Sequence, residues 1–332
     1  MKVAVFYPKN FFASWYALGG YVSALRDLGH EVIDCPVPGN LVRDVAVFRR
    51  VLPSLELLLT CDVVLSTFHE YLHPWLEAVY GFEAWQQLLA AGKVIARYDE
   101  SMDRVDLKLP ERLPELRRWA NYHSFPAAQD ALRYDGAWHP FGTDTRIFRP
   151  TRTEKKYDVA FIGTMYQLRQ NYLRQLVSFI SSDVIFCCGS CMIQDLSGVK
   201  ARESTELLAE NYRQIKIFFC LPPMSRLIVA KVVDVMACGT FVMYPRLPGG
   251  SHRNNVLFKH HEHLAYYDLG YFKVNGKQVH HWLEHEAERE QIAAAGGELV
   301  RAEHTLPGML EKILALATPR VTLPVAVEAV PA

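Results

Sequence analysis

The sequence predicts an α/β fold made of two Rossmann-like units that face each other across a cleft. Short, nearly continuous apolar runs such as Val3–Tyr7 alternate with helical stretches, the pattern of parallel strands covered on both faces. The polar run Thr151–Lys156 interrupts this alternation like a linker, and a strand of the same kind starts again at Asp158–Gly163. The chain has 332 residues, 50% of them hydrophobic, enough for two real cores.

Lys plus Arg and Asp plus Glu are balanced at 36 each, so net charge gives no case for nucleic acid or acidic lipid as the main partner. No stretch approaches the roughly twenty apolar residues of a membrane span, and Met1–Pro8 reads directly as a strand rather than a leader. The seven cysteines are odd in number and several fall in predicted strands, which points to free thiols in a reducing compartment. A cytoplasmic location without structural disulfides is the expectation.

In the first unit, strand Val3–Tyr7, a helix over about Leu18–Leu28 and strand Val32–Cys35 make a βαβ opening. An aromatic-rich loop, Pro8–Ala17, lies where a ligand would meet the first strand. Leu41–Leu59 reads as helix and Asp62–Thr67 as a strand that runs out into Phe68, His69 and Glu70. A helix over Glu83–Ala91 leads to strand Lys93–Tyr98, which runs out into Asp99, Glu100 and Ser101. Two strands thus deliver acid–base side chains to one edge, and in a parallel sheet the carboxyl edge is where ligands bind. That coincidence makes His69, Asp99 and Glu100 the candidate catalytic groups, with loop polarity and helix capping as the structural alternative. A charged helix over Leu107–Trp119, strand Tyr122–Phe125 and helix Ala127–Arg133 complete the unit before Gly136–Pro150.

In the second unit, Asp158–Gly163 runs through Gly163 and Thr164 into a helix carrying Arg169, and strand Val184–Cys188 ends at Gly189. Helix Glu203–Tyr212 and strand Ile215–Phe219 precede the segment around which the chain is organised, Ser225–Gly239. Ser225 is a favourable N-cap, Gly239 a favourable C′ residue, and the segment between is apolar on every face, predicting a buried helix. Lys231 and Asp234, three apart, share one face, either as a salt bridge or as the wall of a ligand cleft. In the second case Asp234 accepts from hydroxyls while Lys231 and Arg226 donate to anions at a helix N-terminus. Helices over Glu284–Ala295 and Leu306–Ala317 and a proline-containing tail follow.

Several spaced stretches of the second half resemble GT-B glycosyltransferases of the group-1 type, closest to the CgeB-like branch. Trp138–Pro150 resembles the interdomain hinge, Tyr157–Leu173 the first strand and helix of the donor domain, and Lys231–Gly239 the ribose-binding helix. His263–Asp268 and Gln291–Thr305, with Ile292, Ala293, Gly296, His304 and Thr305, resemble the segments that follow. The resemblance covers about residues 136–315 and is only architectural before that. It implies an acceptor domain over 1–150, a donor domain over 151–305 and a final segment, 306–332, whose helix returns to brace the first domain. It further implies a nucleotide-sugar donor, a UDP-sugar foremost. Asp234 matches the family's ribose-binding Glu, Lys231 its Arg, Arg169 a diphosphate partner, and Gly163–Thr164 the loop beneath the diphosphate. Gly189, Ser225 and Arg226 complete the expected donor-binding set.

The sequence departs from the larger retaining branch at Arg226, where that branch has a second Glu, and at Asp99, where it often has a His. Asp99 is therefore either a base for inverting displacement or a holder of the acceptor. There is no Asp-x-Asp to tie a metal to a diphosphate, so metal-independent, hexosyltransferase-like transfer is expected, with no cofactor. The acceptor, whether glycan, small molecule, protein or modified nucleic acid, is not specified. A GT-B protein that binds without turnover, or a nucleotide-sugar epimerase, is the alternative. His260, His261, Glu262 and His263 match no closed zinc site, and Cys188 and Cys191 form a single C-x-x-C without a second pair.

Overall fold

The structure, a computed structural model, describes residues 1–8, 20–37, 52–189, 198–221, 227–246 and 257–318, with backbone alone at 105, 189 and 198–203. The aromatic loop over 9–17, most of the segment predicted helical over 41–51, Cys191, Ser225, Arg226 and the tail after 318 lie outside the described residues.

The first sheet contains β1 (Lys2–Pro8), β2 (Glu31–Val37), β3 (Val63–Ser66), β4 (Val94–Arg97), β5 (Tyr122–Phe125) and β6 (Ala137–Trp138), in the order β2-β1-β3-β4-β5-β6. The second contains β7 (Tyr157–Ile162), β8 (Phe186–Gly189), β9 (Ile215–Phe219), β10 (Phe241–Pro245) and β11 (Ala265–Tyr267), in the order β11-β10-β9-β7-β8. Every described strand pair is parallel. The winding direction reverses between β1 and β3 and again between β7 and β9, which opens a crevice beyond the carboxyl ends of each sheet.

The helix His69–Tyr80 is not anticipated by the sequence reading, because Pro74 falls in its interior. Proline has no N–H to donate to the carbonyl four residues earlier, that of Glu70. Arg112 Nη2 donates to the Glu70 carbonyl instead, at 2.7 Å, and the helix continues. The helix predicted from Ser225 begins later, at Ala230, with extended Val229 as an N-cap that makes no side-chain bond. Leu227–Val229 is a run of branched apolar residues, and Tyr244 OH holds the Leu227 carbonyl at 2.9 Å outside the helix. Gly239, at φ +74°, ends the helix as expected. The helix expected over Glu284–Ala295 runs instead from Glu286 to Glu303. Gly296 and Gly297 continue it where a Cβ would collide with the His263 and Met236 carbonyls.

The hinge residues Phe141, Ile147 and Phe148 pack into the second core, whereas the helix Leu306–Leu314 packs against Tyr21, Val22 and Leu25 of the first. Thr305 caps that helix through the Gly308 N–H, 3.1 Å away. The chain thus passes between the units twice, and the two passages are bonded to each other. Thr143 N donates to the His304 carbonyl at 2.8 Å, and Leu306 N donates to the Thr143 carbonyl at 2.7 Å. The described cysteines are free thiols, and no helix among the described residues is long and apolar enough to cross a membrane.

Candidate active site

On the first sheet, the segments after β3 and β4 are cross-bonded. Phe68 adopts the left-handed conformation (φ 49°, ψ 42°), which costs a non-glycine residue energy unless its surroundings enforce it. The Asp99 carboxylate enforces it here by accepting the Phe68 N–H at 2.9 Å. In return Glu70 Oε1 accepts the N–H groups of Asp99 and Glu100, at 3.1 and 2.9 Å. Asp99 also accepts from Arg97 Nε at 3.1 Å and from Tyr21 OH at 3.5 Å. Burial raises its pKa, opposed by the Arg97 charge.

Of the three carboxyl and imidazole groups singled out as catalytic, only Glu100 keeps exposed side-chain surface. Its side chain keeps 22% exposure and pairs with Arg104 at 2.8 Å, and Tyr71 OH donates to it at 3.4 Å. Burial raises the Glu100 pKa, with Arg104 acting the other way. Asp99, expected at the open edge, has no exposed side-chain surface, because its acceptor capacity is spent on Arg97 and the Phe68 amide. His69 is likewise interior, with Ser66 Oγ at 3.0 Å from one ring nitrogen and the Leu116 carbonyl at 3.1 Å from the other. A carbonyl only accepts, so the proton sits on Nε2 and the ring is neutral. Burial pushes its pKa down to about 3. Neither side chain is placed to meet a substrate.

On the second sheet, the cations gather at the carboxyl end of β7. Lys231 Nζ donates to the Ile162 carbonyl at 3.1 Å and lies 4.9 Å from the centre of the Phe161 ring. Arg169 approaches the same ring at 4.8 Å and that of Tyr166 at 4.3 Å, with Nη1 donating to the Thr164 carbonyl at 2.7 Å. At Gly163 a Cβ would overlap Lys231 Nζ and the Phe161 ring, so only glycine lets the ammonium sit over this turn. Gly189 pairs with Ile162 on the neighbouring strand and borders the same edge. Burial raises the Cys220 thiol to about 11, with Lys231 and Arg169 pulling it down, so the thiol shares this electropositive corner.

The two edges face each other. Burial raises the Tyr166 hydroxyl to about 12, while Arg169 from its own domain and Arg104 from the other both lower it. Arg104 of the first domain is thus within electrostatic reach of Tyr166 in the second.

Asp234 lies three residues beyond Lys231 on the helix Ala230–Ala237. It is buried, and Oδ1 accepts from Thr143 Oγ1 of the hinge at 2.7 Å. An aspartate at this position is anchored to the passage between the domains. Replacing Thr143 by valine keeps the shape and removes the donor, so a loss of about 1–3 kcal/mol is expected in urea unfolding. An unchanged midpoint would show that this bond contributes nothing.

His260 and His263 serve the turn before β11, accepting from Tyr266 N at 2.9 Å and Lys259 N at 3.2 Å. Among the described residues, no three His, Cys, Asp or Glu are grouped to hold a metal ion. The sequence reading gave no role to Arg97, Arg104 or Tyr166, and placed Glu70 at the edge without choosing it as catalytic. A signal existed for Arg97, the only charge inside the apolar run Val94–Tyr98 and two residues from Asp99, hence on the same face of the strand.

Two parallel sheets with opposed carboxyl edges, crossed twice by the chain, can be compared with known proteins. HepE from Anabaena, solved with UDP-glucose, superposes with a TM-score of 0.63 at 12% identity, over 95% of this chain and 98% of that one. This is the GT-B fold. Sucrose-phosphate synthase from Thermosynechococcus elongatus gives a TM-score of 0.64 at 12% identity, over 96% and 100% of the two chains. An alpha-glucosyltransferase solved with UDP and a mismatched 13-mer DNA gives 0.63 at 12% identity, over 96% and 99%. Residues 185–315 match a family model described as glycosyl transferase-like, of group 1. No curated protein sequence matches the chain significantly. In GT-B terms, the matched stretch holds Lys231, Asp234 and the second passage between the domains, whereas Glu100 lies in the first domain, outside it.

Proposed function

We propose that the protein is a glycosyltransferase that moves a sugar from a nucleoside diphosphate, a UDP-sugar, to an acceptor hydroxyl without a divalent ion. The reading rests on one observation above all: Lys231 and Arg169 flank Phe161 at the carboxyl end of β7, beside Gly163, where a Cβ would displace the ammonium. Two fixed cations supply there the charge that a departing diphosphate requires. The family match over 185–315 and the UDP-bound relatives of the same fold support it.

In this reading the bond from the anomeric carbon to the diphosphate oxygen breaks, and its electron pair leaves with UDP toward Lys231 and Arg169. The acceptor oxygen bonds to the anomeric carbon from the opposite side, and its proton passes to the Glu100 carboxylate. Burial raises the pKa of Glu100, which makes it a better base than a solvated carboxylate. Asp99 and His69 shape the rim rather than touch substrate. A single base on the acceptor side implies inversion.

The test is a thermal-shift series with UDP, GDP, ADP, dTDP and CMP, with and without EDTA, followed by UDP release from UDP-glucose. A selective, EDTA-insensitive shift with UDP is expected, and Lys231→Met should weaken UDP binding by about 1.5–3 kcal/mol, the worth of a hydrogen bond to a charged group. No shift with any diphosphate would overturn the reading. Binding without UDP release would make the protein a nucleotide-binding GT-B protein, and interconversion of free nucleotide sugars would make it an epimerase.

A further inference from the structure

Glu70 has no assigned part in the transfer chemistry, yet it is the residue that aims Glu100. It is the second residue of the helix His69–Tyr80 and has no exposed surface. Oε1 takes both the Asp99 and Glu100 amides, while Oε2 is buried with no hydrogen-bond partner. Asp99 completes the exchange through the Phe68 amide, so each strand's following segment supplies the acceptor for the other's N–H.

We propose that Glu70 is a positioning residue that works as a neutral carboxyl group, clamping the Asp99–Glu100 amides so that the Glu100 carboxylate is held in the cleft. The proposal rests on the transferase reading for the role of Glu100, but the clamp itself does not depend on it.

The argument for neutrality is geometric. An ionised carboxyl has two charged oxygens to satisfy, and here one of them faces the interior without a donor. A proton on Oε2 would also lack an acceptor, but stranding a neutral O–H costs less than stranding half of a buried charge, and Oε1 still accepts both amides. The groups around it point the same way. Asp99 and Glu100 bring negative charge from the segment after β4, Tyr71 and Tyr98 bring hydroxyls, and His69 beside it is held neutral. Arg112 spends Nη2 on the Glu70 carbonyl rather than its carboxyl, and Arg104 pairs with Glu100 and Asp106. Arg97 is committed to Asp99. Burial and the Asp99 charge raise the Glu70 pKa and outweigh the backbone N–H bonds, which lower it.

The chemistry has a consequence for Glu100. A charged Glu70 would add a second negative group behind the base and raise its proton affinity further. A neutral one fixes the backbone without altering the charge of the cleft.

The experiment compares Glu70→Gln with Glu70→Ala in the full chain. Glutamine keeps the accepting oxygen and replaces the O–H by N–H, so kcat for UDP release should stay within about threefold, with an unchanged pH profile. Alanine should lower kcat by tenfold or more while KM for UDP-glucose stays within twofold, because the donor is bound on the other domain. Two readouts are independent of turnover. Amide hydrogen exchange at Asp99 and Glu100 should accelerate at least tenfold in Glu70→Ala and not in Glu70→Gln. The infrared band of a neutral carboxyl, present in the wild type at pH 7, should vanish in Glu70→Gln. A displaced pH profile in Glu70→Gln, no such band at pH 7, or unaltered exchange in Glu70→Ala would overturn the proposal. If Glu70→Ala does not fold, the band and the glutamine variant still decide it. A wild type that releases no UDP but shows the band and the exchange pattern would overturn the transferase reading and leave the clamp standing.

Discussion

Arg97→Met is expected to destabilise the protein by about 3–5 kcal/mol, the cost of stranding one member of a buried ion pair. Arg97 and Asp99 have no exposed side-chain surface and meet at 3.1 Å. The same guanidinium donates from Nη1 to Ser124 Oγ at 3.1 Å and to the His139 carbonyl at 2.6 Å, and it lies 5.3 Å from the Phe141 ring centre. It therefore ties the segment after β4 to the start of the hinge. Methionine fills much of the volume but leaves the Asp99 carboxylate with only the Phe68 amide and the Tyr21 hydroxyl among its named partners. Asp99 then ionises at a higher pH than in the wild type. A folded-state pKa above the unfolded one means that stability falls as pH rises through it, so the loss should be larger at pH 8 than at pH 5. Urea unfolding at the two pH values reads both effects. The double variant Arg97→Met with Asp99→Leu should recover much of the loss, since it removes the stranded charge as well. A single-variant loss below about 1 kcal/mol would mean that the pair does not hold this edge together.

Most of the sheet architecture was legible in the sequence because most strands are short apolar runs with a breaker beside them, and β9 spans Ile215–Phe219 as read. The two-residue β6, Ala137–Trp138, was not read as a strand. Helices were less legible where tertiary contacts overrule local signals. Pro74 argues against a helix until Arg112 replaces the missing donor, and Ser225 argues for a start that extended Leu227–Val229 postpones. The site divides along the same line. Gly163 and Arg169 were marked by the family resemblance and Lys231 also by its place on an apolar helix, and the three meet at the carboxyl end of β7. Residue type and spacing were not enough to tell Glu100, which keeps exposed surface, from its neighbour Asp99, which faces inward. Successive residues beyond a strand point in opposite directions, and only the partner Arg97 decides which direction is interior. Asp234 shows the same limit, since nothing near it in sequence announces Thr143, the hinge residue it accepts from.

Acidification is expected to remove about 2 kcal/mol of stability between pH 7 and pH 5, the balance of larger opposing contributions. Burial lowers His69 to about 3 and His123 and His139 to about 4, so all three are neutral in the folded state at pH 5. In the unfolded chain they titrate near 6.5 and take up protons first. A group whose folded pKa is depressed contributes stability above the unfolded value and loses it as pH falls toward the folded one. Each histidine then costs about 2 kcal/mol at pH 5. Asp130 works in the opposite sense. Burial raises it to about 6, so it favours the folded state more as pH falls, by about 1 kcal/mol over the same interval, and a neutral Glu70 adds about 2–3 kcal/mol in the same sense. The histidines therefore prevail. Their surroundings explain why none escapes by charging in place: His69 is held by Ser66 and Leu116, and His139 sits beside the Arg97 and Lys312 charges. Calorimetric unfolding at pH 5.5 in two buffers of different ionisation enthalpy should register a net uptake of about one proton, the histidines taking up between two and three while Asp130 and Glu70 release theirs. No net uptake, or a stability that is flat from pH 7 to pH 5, would mean that these rings already carry their protons in the folded protein.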